Sequence, residues 1–265
     1  MRAFIVDAFT DRPFAGNPAG VCLLDQPADA AWMQRVAAEF NLSETAFVHR
    51  TAENTYGLRW FTPTVEVDLC GHATLATAHV LHATRSAAAP DAPLSFTTLS
   101  GVLTARRHDQ GAISLDFPTD VPTATPVPPL LAKALGAEPQ WTGRARHDLL
   151  VELPDAATVR DLNPDIAALA GFSGRAVIVT ASAPDDADHD FVSRVFAPAA
   201  GIPEDPVTGA AHCVLAPHWA ERLGRTTLNA RQLSPRGGRV GVALHDDRVT
   251  LLGHAVTVFT GELTP

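Results

Sequence analysis

The stretch EVDLCGHATLATAHVL, residues 66–81, sets a thiol, a glycine and an imidazole at the front of a run of small apolar residues. Three chemistries use such a triplet. A thiol just before a helix start has its thiolate stabilised and becomes a candidate nucleophile. Cysteine and histidine together are metal ligands. Glycine at a helix mouth lets a ligand approach backbone N–H groups that lack an intrahelical partner, at the positive end of the dipole, where an anion fits. A second group lies in GIPEDPVTGAAHCVL, residues 201–215, where Asp205 and Thr208 precede Gly209 and Ala210. A third candidate is Glu44 in NLSETAF, between the end of a helix and an apolar strand. Such a glutamate is ordinarily an exposed turn carboxylate. It serves as a general acid/base only where burial raises its pKa.

Several of these chemistries fail on spacing. A two-thiol racemase needs a second cysteine mirroring Cys70. Placing Gly71 over Gly209 puts Thr208 there instead, and threonine is a poor base. Cys213 falls a full turn inside the second helix, where packing is the commoner role. A Cys70–His72 hydrolase lacks an orienting third residue. His79 and His82 share roughly one face of the first helix, but that helix reads as buried and no carboxylate follows at ligand spacing, so no metal is expected. The three cysteines include no CxxC pair and are too few for a disulfide framework. Lys133 is the only lysine and lies in PPLLAKALGAEP, away from every cluster, which argues against pyridoxal phosphate. RQLSPRGGRVGV, residues 231–242, places arginines beside glycines but contains no P-loop or dinucleotide fingerprint. His72, in a first helical turn, is disfavoured as a cation; a neutral imidazole there donates to a ligand or relays a proton.

The elements that must position these residues occur twice. AGVCLLDQPADAAWMQRVAAEFNLSETAFVHR reads as strand, Pro/Asp turn, amphipathic helix near 29–40 and a strand from Glu44. HDLLVELPDAATVRDLNPDIAALAGFSGRAVIVTA reads the same way, with a helix near 164–170 and a strand from about Arg175. Each is followed by Phe-x-Pro, acidic residues, and a small-residue turn that opens at Gly71 or Gly209 into an apolar helix. The helix from Gly71 is apolar or small on most faces and reads as buried. That from Gly209 to about Leu223 carries Pro217, which predicts a kink or a break. The expected architecture is α/β (α+β), two pseudo-symmetric lobes over 1–120 and 121–265, each a curled sheet or barrel around a central helix. The boundary falls in the proline-rich 118–129, and the last strand, in GHAVTVFTGELTP, is a candidate to return to the first lobe.

The chain has 265 residues, 46% of them apolar and 18% charged, with net charge −9. That charge argues against nucleic-acid and anionic-membrane partners. No apolar run reaches the length of a membrane span. MRAFIVDAFTDRPF alternates like a strand and lacks a signal peptide's apolar region, so a cytoplasmic protein is expected.

DAFTDRPFAGNPAGV, NLSETAF, FTPTVEVDLCGHATLATAHVL, GIPEDPVTGAAHCVLAPHW and RQLSPRGG together resemble the PhzF family, in that family's order over nearly the whole chain. The resemblance implies a diaminopimelate epimerase-like fold of two similar lobes and a cofactor-independent isomerase, usually a homodimer, with its site between the lobes. It implies that Glu44 shuttles a proton, with His72 and Asp205 as partners. Asn17, Cys70, Gly71, Ala73, Thr208, Gly209 and Ala210 fall in the matching motifs as substrate-binding positions. Serine follows the TG in the phenazine isomerase, whereas Ala210 stands here, leaving only the backbone N–H. The expected ligand is a small anionic metabolite. Two other readings stay open: a racemase or epimerase using Glu44 and Asp205 as opposed bases, and a metabolite-binding protein without chemistry.

Overall fold

In RAFIVDA only Arg2 is exposed, so the first strand needs cover on both faces, and the elements that follow supply it. The computed structural model describes residues 1–84, 86, 92–172 and 174–264. The chain forms two units, Met1–Phe117 together with the residues from Leu251 onward, and Pro118–Thr250.

The first unit runs β1 (Arg2–Ala8), β2 (Asn17–Leu24), α1 (Ala30–Phe40), β3 (Glu44–Ala52), β4 (Thr55–Phe61), β5 (Glu66–Val67), α2 (Gly71–Ala83), β6 (Leu94–Thr98), β7 (Gly101–Arg107) and β8 (Ile113–Pro118). The second runs β9 (Thr123–Ala124), α3 (Leu131–Leu135), β10 (Trp141–Arg144), β11 (Asp148–Glu152), α4 (Ala156–Asp161), α5 (Ile166–Leu169), β12 (Ala176–Ser182), β13 (Phe191–Ala197), β14 (Ile202–Asp205), α6 (Gly209–Leu223), β15 (Thr227–Gln232), β16 (Gly238–His245) and β17 (Arg248–Gly253). The last strand, β18 (Ala255–Glu262), pairs antiparallel with β1, whose other edge pairs with β2.

The repeat read from the sequence is a repeat of pairings. In the first unit β2 runs parallel to β3, β3 antiparallel to β4, β4 antiparallel to β5 and parallel to β6, and β6 antiparallel to β7. The second unit repeats this with β11, β12, β13, β14, β15 and β16. A parallel pair needs a crossover, and α1 supplies it between β2 and β3. Asp29 caps α1 by accepting from the Trp32 N–H, and Asn41 ends it in the left-handed conformation. Met33, Val36 and Ala37 of α1 pack on Ala3, Cys22, Phe47 and Phe61, which form an outer core. The corresponding outer core of the second unit joins Leu131, Leu135, Val159 and Leu169 to Leu149, Val151, Val177 and Val179.

The other face of each sheet meets a central helix. α2 packs against β1, β2, β3, β7 and β18, and is buried from Gly71 to Ala78. Its threonines survive there because Thr74, Thr77 and Thr84 donate their hydroxyls to the carbonyls of Cys70, Ala73 and Val80, four residues back. α6 packs against β15 and β16. It continues through Pro217 to Leu223 as one helix, so the proline does not break it. Proline leaves the Cys213 carbonyl without its usual partner, and the Asp120 N–H fills the vacancy at 3.1 Å.

Candidate active site

The first unit gathers its polar residues where two strands begin and α2 starts. β2 opens at Asn17 and β3 at Glu44, and the parallel register sets Ala19 beside Glu44. Cys22 and Phe47 point into the outer core. By the two-residue period of a strand, Asn17 and Glu44 therefore share the opposite face, toward α2. Gly16 makes the turn into β2 with φ +65°, and a Cβ there would strike the Ala8 carbonyl.

His72 sits in the first turn of α2 and is 5% exposed. Its Nε2 lies 3.2 Å from Glu44 Oε2. On the other side of the ring, Asn17 Nδ2 lies 3.3 Å and Cys70 Sγ 3.6 Å from Nδ1. The Asn17 amide N–H is a donor, and a thiol can donate weakly, so Nδ1 accepts and the ring proton sits on Nε2, toward Glu44. Burial pushes the His72 pKa down to about 3, so the imidazole is neutral through the physiological range. The Glu44 side chain is 14% exposed: partly desolvated, yet within reach of a ligand. Glu44 thus stands at the head of a strand, against an imidazole.

Cys70 is the N-cap of α2 but makes no side-chain cap, and the first turn carries no acidic residue. The N–H groups of Gly71, His72 and Ala73 thus begin a helix whose mouth is not closed by its own side chains, where negative charge is favoured. His79, considered above with His82 as a ligand pair, instead meets Thr257 Oγ1 at 3.0 Å. Among the described residues the one group of metal-ligating types is Glu44, Cys70 and His72, with one ligand atom from each within 4.8 Å of the others.

The second unit builds a related mouth from different side chains. Asp205 ends β14, and Thr208 is the N-cap of α6, again without a side-chain cap and with no acid in the first turn. The Thr208 hydroxyl turns back to donate to Asp205 Oδ2. Gly209 and Ala210 follow as the first residues of the helix. Gln232, fully buried on β15, clamps this turn: its Oε1 accepts from the Thr208 N–H at 2.9 Å, and its Nε2 donates to the Asp205 carbonyl at 2.7 Å. His212 donates Nδ1–H to the Thr208 carbonyl at 2.8 Å, the counterpart of Thr74 on Cys70, and burial lowers its pKa to about 4. Cys213 approaches the Gly209 carbonyl, and burial raises its thiol to about 12.

The structure thus brings Asn17, Glu44, Cys70, Gly71, His72 and Ala73 together in one unit, and Asp205, Thr208, Gly209 and Ala210 in the other. Gln232 escaped the sequence reading, which weighed its motif for arginines and glycines. Its signal was the alternation of TLNARQ, which puts this amide on the buried face of a strand.

The PhzC-PhzF family description, "Phenazine biosynthesis-like protein", matches residues 6–261. An uncharacterized isomerase of Halalkalibacterium halodurans is 48% identical over 98% of this chain and 97% of its own. The crystal structure of a PhzF-family phenazine biosynthesis protein from Enterococcus faecalis superposes with TM-score 0.94 at 44% identity, covering 100% of this chain and 99% of that one. A hydroxyproline epimerase from Agrobacterium vitis shares the fold, with TM-score 0.65 at 11% identity over 98% of this chain and 91% of that one.

Proposed function

The chain belongs to the phenazine biosynthesis-like family, PhzC-PhzF, and from that membership we propose a cofactor-independent isomerase that moves a proton within a small carboxylate substrate. The observation that carries this reading is the half-buried Glu44 carboxylate 3.2 Å from a neutral His72, beside the start of α2.

Glu44 takes a proton from an activated carbon of the substrate and returns it at another carbon. The same carboxyl acts as base and then as acid, so the proton balance closes within the substrate and no redox partner is needed. His72, whose low pKa makes it a poor proton acceptor, keeps its Nε2–H toward Glu44 and so holds that carboxyl in place for transfer. Asn17 keeps the imidazole in that tautomer. The open start of α2 receives the substrate's negative charge. Asp205, oriented by Thr208 and Gln232, presents a carboxylate at the start of α6 in the second unit.

The test is proton NMR in D₂O with a panel of small unsaturated and amino-substituted carboxylates, the phenazine precursor among them. Wild-type protein should exchange one carbon-bound proton of a substrate. Glu44→Gln should keep the fold and lose the exchange by roughly 10²- to 10⁴-fold. Full exchange in Glu44→Gln would remove this residue from the mechanism. Broadened ligand lines with no exchange in either protein would make the chain a binder for that panel.

A further inference from the structure

Two acidic residues of the repeat, Glu66 and Glu204, have no part in the site, and each has an arginine partner. Arg59-x-Phe61-x-Pro63 in the first unit matches Arg194-x-Phe196-x-Pro198 in the second. Glu66 and Glu204 each stand five positions before the glycine that opens a helix, Gly71 or Gly209. We propose that Arg59–Glu66 and Arg194–Glu204 are equivalent positioning pairs, each fixing the strand that leads into a helix start and so setting where the first-turn groups of α2 and α6 stand. Their effect on turnover rests on the isomerase reading; their hold on the two helix starts does not.

The two pairs are built alike. Arg59 Nε and Nη2 donate to Glu66 Oε1 and Oε2 at 2.6 and 2.7 Å. Arg194 Nε and Nη2 donate to Glu204 Oε1 and Oε2 at 2.7 and 2.9 Å. Each guanidinium also lies over the ring two residues along its own strand, 5.2 Å from the centre of Phe61 and 5.0 Å from that of Phe196. Phe61 and Phe196 belong to the outer cores, so by the two-residue period both arginines are on the sheet faces turned away from α2 and α6. The pairs therefore act through the chain they hold, not by contact with a substrate.

An exposed ion pair adds little to overall stability, the two-pronged arginine–carboxylate bond being the exception. The segment held by the first pair is otherwise lightly held. β5 is two residues long and meets β4 through two residue pairs, with the Ser100 hydroxyl on the Asp68 carbonyl beyond it. The chain then reaches Cys70, the N-cap of α2. A displaced β5 moves that helix start, and with it His72, relative to Glu44 on β3. In the second unit the residue after Glu204 is Asp205, whose carboxylate accepts from the Thr208 hydroxyl. Arg194 does one thing more: its Nη1 donates to the carbonyls of Val159, Arg160 and Leu162 at the end of α4. Arg59 is therefore the cleaner residue to change.

The test is the proton–nitrogen NMR spectrum of the full chain, read at the backbone amides of the two helix starts. Arg59→Gln, at a side chain 36% exposed, should shift the amides of Gly71, His72 and Ala73 and leave those of Gly209 and Ala210 in place. Glu204→Gln should do the reverse. In the D₂O exchange assay Arg59→Gln should lower kcat about tenfold with KM little changed, the pattern of a misplaced group. Unmoved Gly71, His72 and Ala73 amides in Arg59→Gln overturn the proposal, and so does movement at both helix starts in either variant, which a general loosening of the fold would give. Arg59→Gln decides alone if Glu204→Gln does not fold. Full kcat despite shifted amides overturns the effect on turnover. The spectra involve no substrate, so a wild type without exchange counts against the isomerase reading and leaves the positioning pairs to be judged by the amides.

Discussion

A histidine that carries no charge is a stability liability in acid, and this chain buries two of them at helix starts. His72 is held near 3 and His212 near 4, both by burial, against about 6.5 in an unfolded chain. Between those values the unfolded state binds more protons than the folded one, so stability rises with pH across that window. The contribution is fully present above about pH 6.5 and is lost as pH falls toward 4. His212→Asn removes one of the two groups and keeps an amide for the Thr208 carbonyl. Whatever it costs at neutral pH, its stability should then fall less steeply, by about 2–3 kcal/mol between pH 7 and 4.5. Urea unfolding of both proteins at the two pH values checks this; equal losses would place the acid sensitivity elsewhere. Asn17→Ala bears on the same imidazole from its other side. It frees the tautomer, so proton exchange should fall about tenfold while ligand affinity changes little, which a kcat-against-KM comparison reads. The sequence already read His72 as a neutral imidazole from its place in a first helical turn; burial as the cause and the hold of Asn17 on the ring were not legible. The motif named His72, but its tautomer depends on Asn17, 55 positions away. Glu44 was legible only as a turn carboxylate until the motifs were set side by side, because its environment is made by a helix that follows it.

Elements were more readable than their joints. The two-residue and 3.6-residue periods gave α1 nearly at its observed limits and β3 at its observed start, and the all-round apolar character of α2 foretold a central helix. What local pattern could not reach was tertiary satisfaction of backbone groups. Pro217 reads as a helix breaker because its own segment offers the Cys213 carbonyl no donor; the donor is the Asp120 N–H, from the linker entering the unit. The same holds for Gln232, which contacts a turn 24 residues earlier. Replacing it with leucine strands the Thr208 N–H and the Asp205 carbonyl in a buried setting. Gln232→Leu should lower stability by about 2–3 kcal/mol, measured as a shift in the denaturant midpoint. A loss below about 0.5 kcal/mol would mean the turn holds itself.

The molecule as a whole is two units of one design, and only one of them is continuous in sequence. Pro118–Thr250 forms a unit from a single stretch, whereas the first unit takes β18 from the far end of the chain. The pairing of β18 with β1 and its packing on α2 make it part of the wall around that helix. Deleting residues 255–265 should therefore strip the amide protection of Arg2–Ala8 while leaving that of β11–β13 intact. Hydrogen exchange reads both at once, and retained protection of Arg2–Ala8 would show that β18 only decorates the edge. The same connectivity sets an order for biosynthesis. A ribosome working from the amino end releases the first half early, yet that half waits with an open flank until the final strand clears the exit tunnel. The half that is made later can close first. During that interval β1 presents an unsatisfied strand edge, and nascent chains of this protein are most in need of a chaperone then.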